Sequence, residues 1–211
     1  MTVMTREAKI EGAAGPILGI AGTSSVRTPC GARRAENVRP GDLIVTRDHG
    51  LQPVRMVWAR RVTANDIAAD PSLAPVRMKP RAIGPMMPQR DLLVAGNHKI
   101  LVPGYRLADV PDTECRLISA RALAEASDEV FFDRAVSDVT FYNITFDTHQ
   151  VFCVNGLPVE SYLPSAATLA ELDEAGLNDL SDILTGQEGE AVYPPSTYAV
   201  QDTANCPPEL V

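Results

Sequence analysis

The stretch ENVRPGDLIVTRD, residues 36–48, decides the fold class of this chain. Within it, the turn sequence Arg39-Pro40-Gly41-Asp42 is followed at once by the run Leu43–Thr46. Proline presets the backbone for a turn, glycine supplies a positive φ, and β-branched side chains favour a strand. A second turn at Asp48-His49-Gly50 leads into another strand-like run, Pro53–Trp58. The sequence therefore predicts a β-hairpin formed by residues 43–46 and 53–58.

The same pattern of short apolar runs between turn residues continues along the chain. Leu92–Val94 and Ile100–Val102 are predicted as two adjoining strands, with His98 at the bend between them or at the start of the second. Val139–Phe146 and Val151–Val154 are predicted as another pair. The 17 prolines and 14 glycines together make up more than their usual share of about 12% of residues, so we expect many turns. The short strand-like runs between these turns predict an all-β fold class.

A turn, two loops and two helical stretches complete the prediction. Asn155-Gly156 predicts a type I′ turn, since both residues tolerate a positive φ. Residues 62–90 and 103–113 lack periodicity and are expected to be long surface loops. Ser119–Ala126 is predicted as a short helix. Ala166–Leu184 carries leucines at helical spacing and is expected to form one helix, or two short helices interrupted at Gly176.

These elements divide the chain into three parts. Residues 1–15 are small, polar and aperiodic, and are expected to form a flexible arm. Residues 16–164 hold the predicted β domain. Residues 165–211 form a helical extension followed by an extended tail from residue 192, where two Pro-Pro pairs occur. The leucine stripe of the helix is expected to pack on the domain or, alternatively, to bind a protein partner.

Charge and composition exclude several classes of function. A net charge of −8 and scattered arginines argue against nucleic-acid binding, which needs a basic face. No window approaches the roughly 18 apolar residues of a membrane span. The first 22 residues lack the pattern of a secretory signal, so we expect a cytoplasmic protein or one exported without a signal peptide.

The cysteines and histidines show no regular spacing that would indicate a metal or cofactor site. The four cysteines, Cys30, Cys115, Cys153 and Cys206, contain no C-x-x-C pair. We expect them to be reduced and partly buried. A metal site built from Asp147, His98, His149 and Cys153 is conceivable, but these residues lack tight ligand spacing. The sequence predicts no cofactor and no metal.

Five blocks follow one another along the chain: Thr28–Gly31, Glu36–Asp48, Gln52–Trp58, Arg90–Val102 and Phe146–Leu163. In this order they resemble the Hint (Hedgehog/intein) superfamily, and specifically its bacterial Hedgehog/intein-type domains. The first two blocks together look like the family's opening hairpin and are the most specific match. The resemblance covers about residues 17–164 and implies the Hint fold of short hairpins with long loops.

The resemblance also implies a chemistry. In Hint domains the first residue is a Cys, or more rarely a Ser, that attacks the preceding carbonyl carbon. A histidine at the position of His98 polarises the scissile peptide and protonates its departing nitrogen. A Thr or Ser three residues before that histidine helps to hold the peptide, and inteins end with an Asn that cyclises to release the downstream segment.

This chain departs from that pattern at each of these points except the histidine. The family pattern Cys-Phe-x-x-Gly-Thr, laid on Gly22-Thr23, puts the nucleophile at Leu18, whereas counting back from Thr28-Pro29 puts it at Gly19. Neither residue can attack a carbonyl. Ala95 stands where the Thr or Ser is expected, and no His-Asn ending follows Val159. We therefore expect a degenerate active site in a non-catalytic Hint-like module for interaction or secretion.

The alternative is an autoprocessing domain that cleaves its own N-terminal segment with a displaced hydroxyl. Thr23, Ser24 and Ser25 are the candidate nucleophiles, and each has an alternative interpretation as an ordinary loop residue. His98, His149 and Asp147 are the remaining candidate catalytic residues. Each histidine is equally explained as a buried imidazole that satisfies a backbone group, and His49 is expected in a turn. A third possibility is a small-molecule pocket where the nucleophile once stood.

Overall fold

The computed structural model describes residues 6–8, 17–169, 172, 174–185, 193–201 and 208–210. In these residues short strands predominate, as the sequence predicts for an all-β chain. The strands are β1 (Arg6–Ala8), β2 (Ile20–Ala21), β3 (Ser25–Thr28), β4 (Gly31–Arg34), β5 (Leu43–Val45), β6 (Leu51–Pro53), β7 (Met56–Val62), β8 (Val76–Met78), β9 (Leu92–Val94), β10 (Lys99–Pro103), β11 (Cys115–Ser119), β12 (Val130–Phe132), β13 (Val139–Thr145), β14 (Val151–Val154) and β15 (Leu157–Glu160). The helices are α1 (Ala64–Ala69), α2 (Ala120–Ala126), α3 (Ala166–Leu169) and α4 (Glu174–Thr185).

The described strands form two large sheets and one small ribbon. The seven-stranded sheet has the order β1-β7-β13-β2-β9-β8-β12, and the six-stranded sheet has the order β11-β10-β15-β14-β3-β4. The ribbon consists of β5 and β6. The main apolar cluster draws on both sheets, with Ile20, Val57 and Val94 from the first and Val26, Ile100 and Val159 from the second. The core therefore lies where the two sheets meet.

The hairpin at residues 43–53 is present, but its second strand is not the one expected from the sequence. β5 pairs with β6, in the register Leu43↔Pro53, and Gly41 N donates to Val54 O at 2.8 Å. Met56–Val62 instead pairs along its whole length with β13. The first four residues of β7 are buried, and a strand buried in this way needs a central partner rather than an exposed ribbon.

Two predicted strand pairs are wrong, because in each the strands belong to different sheets. β9 lies in the seven-stranded sheet and β10 in the six-stranded one; β13 and β14 are divided in the same way. Residues 95–98 and 146–150 carry the chain across the core between the sheets. The turn at Asn155-Gly156, in contrast, is confirmed: the φ angles are 49° and 85°, and the turn joins β14 to β15.

The segment 62–90 was expected to be a surface loop, and this expectation is wrong. It contains α1, whose N-terminal capping box is formed by Thr63 and Asp66, and it contains β8. Met78 and Ile83 are fully buried in the main core. The short strand and the turns around it hold too few apolar residues in regular order to give a periodic signal. In residues 103–113, a 3-10 turn at Gly104–Arg106 leads to buried Leu107.

The helical predictions hold with one correction. α2 begins after Ser119, whose hydroxyl accepts a hydrogen bond from Ala122 N and caps the helix. The extension forms two helices, but they separate before Glu174, and Gly176 lies in the first turn of α4. A glycine early in a helix costs little when the following turns are packed.

Parts of the two ends of the chain are also ordered against the domain. Residues 6–8, inside the expected flexible arm, form β1 and pair in parallel with β7; the other residues of 1–16 lie outside the described residues. In the expected tail, buried Tyr193 donates from its hydroxyl to Phe146 O at 2.9 Å, and Leu117 N donates to Ala199 O. Within the described residues, no helix is both long and apolar enough to cross a membrane.

Candidate functional site

In one peptide group, Leu18–Gly19, both the N–H and the carbonyl oxygen are hydrogen-bonded to buried side chains. Gly19 N donates to His98 Nδ1 at 3.3 Å, and Leu18 O accepts from Asn143 Nδ2 at 3.2 Å. The next carbonyl, Gly19 O, accepts from Ala95 N at 2.9 Å. Leu18 is 7% exposed and His98 is 4% exposed. The peptide therefore lies in a buried site formed by neighbouring strands.

The register of the strands explains why these residues meet. β2 pairs antiparallel with β13 through Ala21↔Phe141 and Ile20↔Tyr142. Because antiparallel partners run in opposite directions, the residue before Ile20 falls beside the residue after Tyr142, and this brings Gly19 to Asn143. On its other side, β2 pairs with β9, and the turn from Ala95 to His98 leaves the end of that strand.

His98 is held rigidly and is uncharged at neutral pH. Its backbone N donates to Ala95 O at 3.0 Å, and its carbonyl accepts from Ala120 N at 2.9 Å. Burial lowers the pKa of His98 to about 4, and Glu160 only partly opposes this effect. Since Nδ1 accepts the Gly19 N–H, the proton of the neutral ring sits on Nε2. Nε2 is buried and has no hydrogen-bond partner among the described residues.

A second buried group lies next to His98 and consists of His149, Glu160 and Lys99. Glu160 is 3% exposed; it accepts from Lys99 N at 2.9 Å and from Lys99 Nζ at 3.1 Å to both oxygens. His149 Nε2 is 3.8 Å from Glu160 Oε2, an electrostatic contact too long for a hydrogen bond. Burial acts to raise the pKa of Glu160, but His149, Lys99 and His98 outweigh it, so the pKa lies below its ordinary value.

Of the two positions that the family resemblance offers for the nucleophile, Leu18 and Gly19, Gly19 is the residue whose nitrogen faces His98. In that chemistry the departing nitrogen belongs to the nucleophilic residue itself, and the nitrogen facing His98 is that of Gly19. Gly19 has a φ of +118°, and a Cβ at this position would lie 3.0 Å from Asn143 Nδ2, Phe141 Cβ and Tyr142 O. The position therefore has no side chain and little room for one.

The three candidate hydroxyls lie in or directly after the turn that follows β2. Thr23 is exposed in that turn, whereas Ser24 is 2% exposed. Ser25 begins β3 in the other large sheet, and its Oγ accepts from Arg90 Nη2 at 2.7 Å. Among the described hydrogen bonds, none joins these hydroxyls to the Leu18–Gly19 peptide.

The remaining predicted residues divide between the buried site and the surface. His98 and His149 lie near each other, since each contacts Glu160 electrostatically. Asp147 lies at the surface, where it forms a bidentate pair with Arg55 at 2.8 Å, and its side chain is 44% exposed. His49 lies in a turn, as expected, and its Nδ1 is 2.8 Å from Gln150 Oε1.

Sequence reasoning missed Asn143, Lys99 and Glu160 as members of the site. Asn143 did carry a signal, because asparagine is depleted inside strands and here it interrupts the apolar run of β13. Lys99 and Glu160 sit at the ends of strands, where charged residues are ordinary. Only the pairing of β10 with β15, through Ile100↔Val159, brings these two together.

In the part of the chain that the structure describes, no three His, Cys, Asp or Glu side chains converge in a way that suits a metal ion. Cys30, Cys115 and Cys153 are free thiols, and Cys206 lies outside the described residues. Cys115 and Cys153 are partly buried, as expected, whereas Cys30 is exposed at the tip of the β3–β4 hairpin.

Comparison with known proteins gives a family match and several likenesses to solved structures. A family model described as the Hint domain matches residues 20–166. The Ssp DnaB mini-intein variant M86 is 12% identical, with a TM-score of 0.45 over 77% of this chain and 99% of that chain. A bacterial intein-like domain from Clostridium thermocellum is 14% identical, with a TM-score of 0.42 over 69% and 98%. The gp41-1 intein is 12% identical, with a TM-score of 0.42 over 68% and 98%. No curated protein matches the chain.

Proposed function

This chain belongs to the Hint domain family, and on that premise we propose that it is a Hint domain that holds one peptide bond without cleaving it. The bond is Leu18–Gly19. The proposal makes the domain a structural module for interaction or secretion, whose N-terminal segment stays covalently attached. In this proposal the domain keeps the fold of an autoprocessing element and the hydrogen bonds to the peptide, but it does not carry out the covalent step.

The observation that carries this proposal is the residue whose nitrogen faces His98. Gly19 has no side chain, and its φ of +118° is a conformation that side chains disfavour. Nucleophilic catalysis on the preceding carbonyl needs a thiol or hydroxyl on this residue. Without one, the held peptide has no intramolecular attacking group at the position where the family supplies it.

Two further features support the same proposal. Ala95, which stands where a Thr or Ser would help to hold the peptide, is buried in an apolar cluster with Ile17 and Phe141 and offers only its backbone N–H. At the other end, Ser161 stands after Glu160, and its Oγ accepts from Gln150 N at 2.9 Å. A serine has no amide side chain to cyclise, so release of a downstream segment lacks its chemical group.

The alternative, cleavage by Thr23, Ser24 or Ser25, has less support. A hydroxyl nucleophile needs a base and an approach to the carbonyl carbon of residue 18. Ser25 Oγ is bound to Arg90, and His98 Nδ1 is already occupied by the Gly19 N–H. A protein partner at the C-terminal helix stays a prediction. The part of α4 free to meet one carries Leu177, which is 41% exposed.

Intact mass and N-terminal sequencing of the purified chain test the proposal. The chain is incubated with and without dithiothreitol and hydroxylamine, which attack thioesters and esters, alongside a Ser24→Ala, Ser25→Ala double variant and His98→Ala. We expect one uncut mass in every sample. A fragment starting between Leu18 and Ser25, lost in the double variant or in His98→Ala, would establish the autoprocessing alternative.

A further inference from the structure

Leu18, which precedes the Leu18–Gly19 peptide bond, is buried in a second apolar cluster. This cluster is separate from the main core between the sheets. It joins strand β7 and the end of the β domain to the C-terminal helical extension. Its buried members are Leu18, Met56, Trp58, Tyr162, Leu172 and Leu180, with Leu169 and Ile183 partly buried against them.

The helical extension is tied to this cluster by specific contacts. Tyr162 donates from its hydroxyl to Thr168 O at 2.9 Å in a buried hydrogen bond, which fixes α3. The rings of Trp58 and Tyr162 meet edge to face, with centroids 5.8 Å apart. Ser165 N donates to Thr168 Oγ1 at 2.8 Å and sets the turn into α3. The extension is therefore docked on β7 rather than attached only through the chain.

The burial pattern of α4 shows which side of the helix does the docking. Leu180 is 1% exposed and Ile183, on the same side of the helix, is partly buried against the cluster, whereas Asn178, on the opposite side, is exposed. Leu172, just before the helix, is 8% exposed. An amphipathic helix buries one stripe and leaves the other in water. The buried stripe of this extension faces the cluster that contains Leu18.

We propose that α3 and α4 form a lid over the Leu18–Gly19 peptide, in which Leu172 and Leu180 are positioning residues. The lid closes an apolar subsite for the aliphatic side chain that precedes the bond. This inference rests on the proposed function, a peptide that is held and not cut, and it assigns a role to α3, Leu172 and α4.

The geometry of the peptide explains why it needs a lid. Its two polar contacts, to His98 and Asn143, are 3.3 Å and 3.2 Å long, beyond the usual mode of about 2.9–3.0 Å. Water competes with such contacts wherever it has access. Burial of the Leu18 side chain excludes water from the peptide and fixes the carbonyl and N–H against their partners. Without the lid, the same atoms are present but the peptide opens to solvent.

Hydrogen exchange of the Gly19 amide, measured by NMR on the full chain, tests the lid. Leu180→Ala removes a buried lid contact, and Leu177→Ala on the same helix is the matched control. We expect Leu180→Ala to speed Gly19 exchange at least tenfold relative to the Ile144 amide in β13. We expect Leu177→Ala to leave that ratio within twofold, and Leu180→Met to restore most of the protection.

Two outcomes would overturn the lid: unchanged exchange at Gly19 in Leu180→Ala, or acceleration of Gly19 and Ile144 by the same factor, which signals general destabilisation. If Leu180→Ala does not fold, Tyr162→Phe removes the hydroxyl that donates to Thr168 O, and a threefold rise in Gly19 exchange is expected. The intact mass of each sample separates the two proposals. Unchanged exchange in an uncut chain rejects the lid alone, and a fragment beginning at Gly19 rejects the non-cleaving function.

Discussion

The two ends of the β domain hold their buried polar groups in physically different ways. At the opening end, the Leu18–Gly19 peptide is held by uncharged groups, His98 and Asn143, and residue 19 has no side chain. At the closing end, Glu160 brings a charge into the interior, where it is 3% exposed. That charge is bound by Lys99 and faces His149.

The difference teaches that neutral and charged buried groups carry different structural costs. At the opening end the backbone of Gly19 makes its hydrogen bonds, and the buried atoms without a partner among the described residues, His98 Nε2 and Asn143 Oδ1, belong to neutral side chains. A buried carboxylate, in contrast, is tolerated only while its partners remain. We therefore expect the closing end to dominate stability and the opening end to tolerate only changes that add no atoms.

The largest effect is expected from Lys99→Met, which leaves Glu160 buried without its cation. The free energy of unfolding, measured by urea denaturation at pH 7, should fall by about 3–5 kcal/mol. Lys79→Met is the matched control, since the Lys79–Glu129 pair has side chains 46% and 55% exposed, and such a pair contributes less than about 1 kcal/mol. If the two variants lost the same free energy of unfolding, the buried Glu160 charge would not be a special source of stability at the closing end.

The pH dependence of stability should report on His98 at the opening end. With a folded pKa of about 4, His98 stays neutral in the folded chain while the unfolded chain takes up a proton below pH 6.5. Stability is therefore full above pH 6.5 and falls by about 3 kcal/mol towards pH 4. Urea titrations at steps of one pH unit measure this slope. His98→Gln should flatten it, and an unchanged slope in His98→Gln would assign it to other groups.

Gly19→Ala tests whether the opening end tolerates an added atom. Strain from the positive φ and crowding at 3.0 Å should together lower the free energy of unfolding by about 2 kcal/mol or more. Gly31 has a φ of +106° with nothing within 4 Å of its would-be Cβ, so Gly31→Ala carries only the strain, about 1 kcal/mol. If the two variants lose the same stability, the packing around Gly19 is not restrictive.

The smallest effect is expected from Ser161→Ala at the closing end. This change removes the acceptor of the buried Gln150 N–H, found at 2.9 Å, and should cost about 1 kcal/mol in urea denaturation. Ser127→Ala is the control, because its hydroxyl accepts from Glu129 N at an exposed position, and we expect almost no change there. A loss in Ser161→Ala as large as that in Lys99→Met would make the uncharged groups of the closing end as important as its charge.

Most of the local structure followed from the sequence, and most of the long-range pairing did not. The turn at Asn155-Gly156 and the cap at Ser119 depend on backbone preferences of single residues, so they were predictable. The assignment of β9 and β10 to different sheets was not, because alternation of apolar residues indicates a strand without naming its partner. Likewise, only the packing of Leu180 against the domain decides where α4 lies.

By itself, the sequence determined the all-β class and the family, because strand patterns and motif order can be read along the chain. It left open whether Leu18 or Gly19 stands at the nucleophile's position. In the tertiary structure it is Gly19 N that faces His98, because β2 pairs with β9 and His98 follows the turn at the end of β9. The burial of Glu160 beside Lys99 also depended on strand pairing, because residues 61 positions apart meet only when the strands that carry them are adjacent.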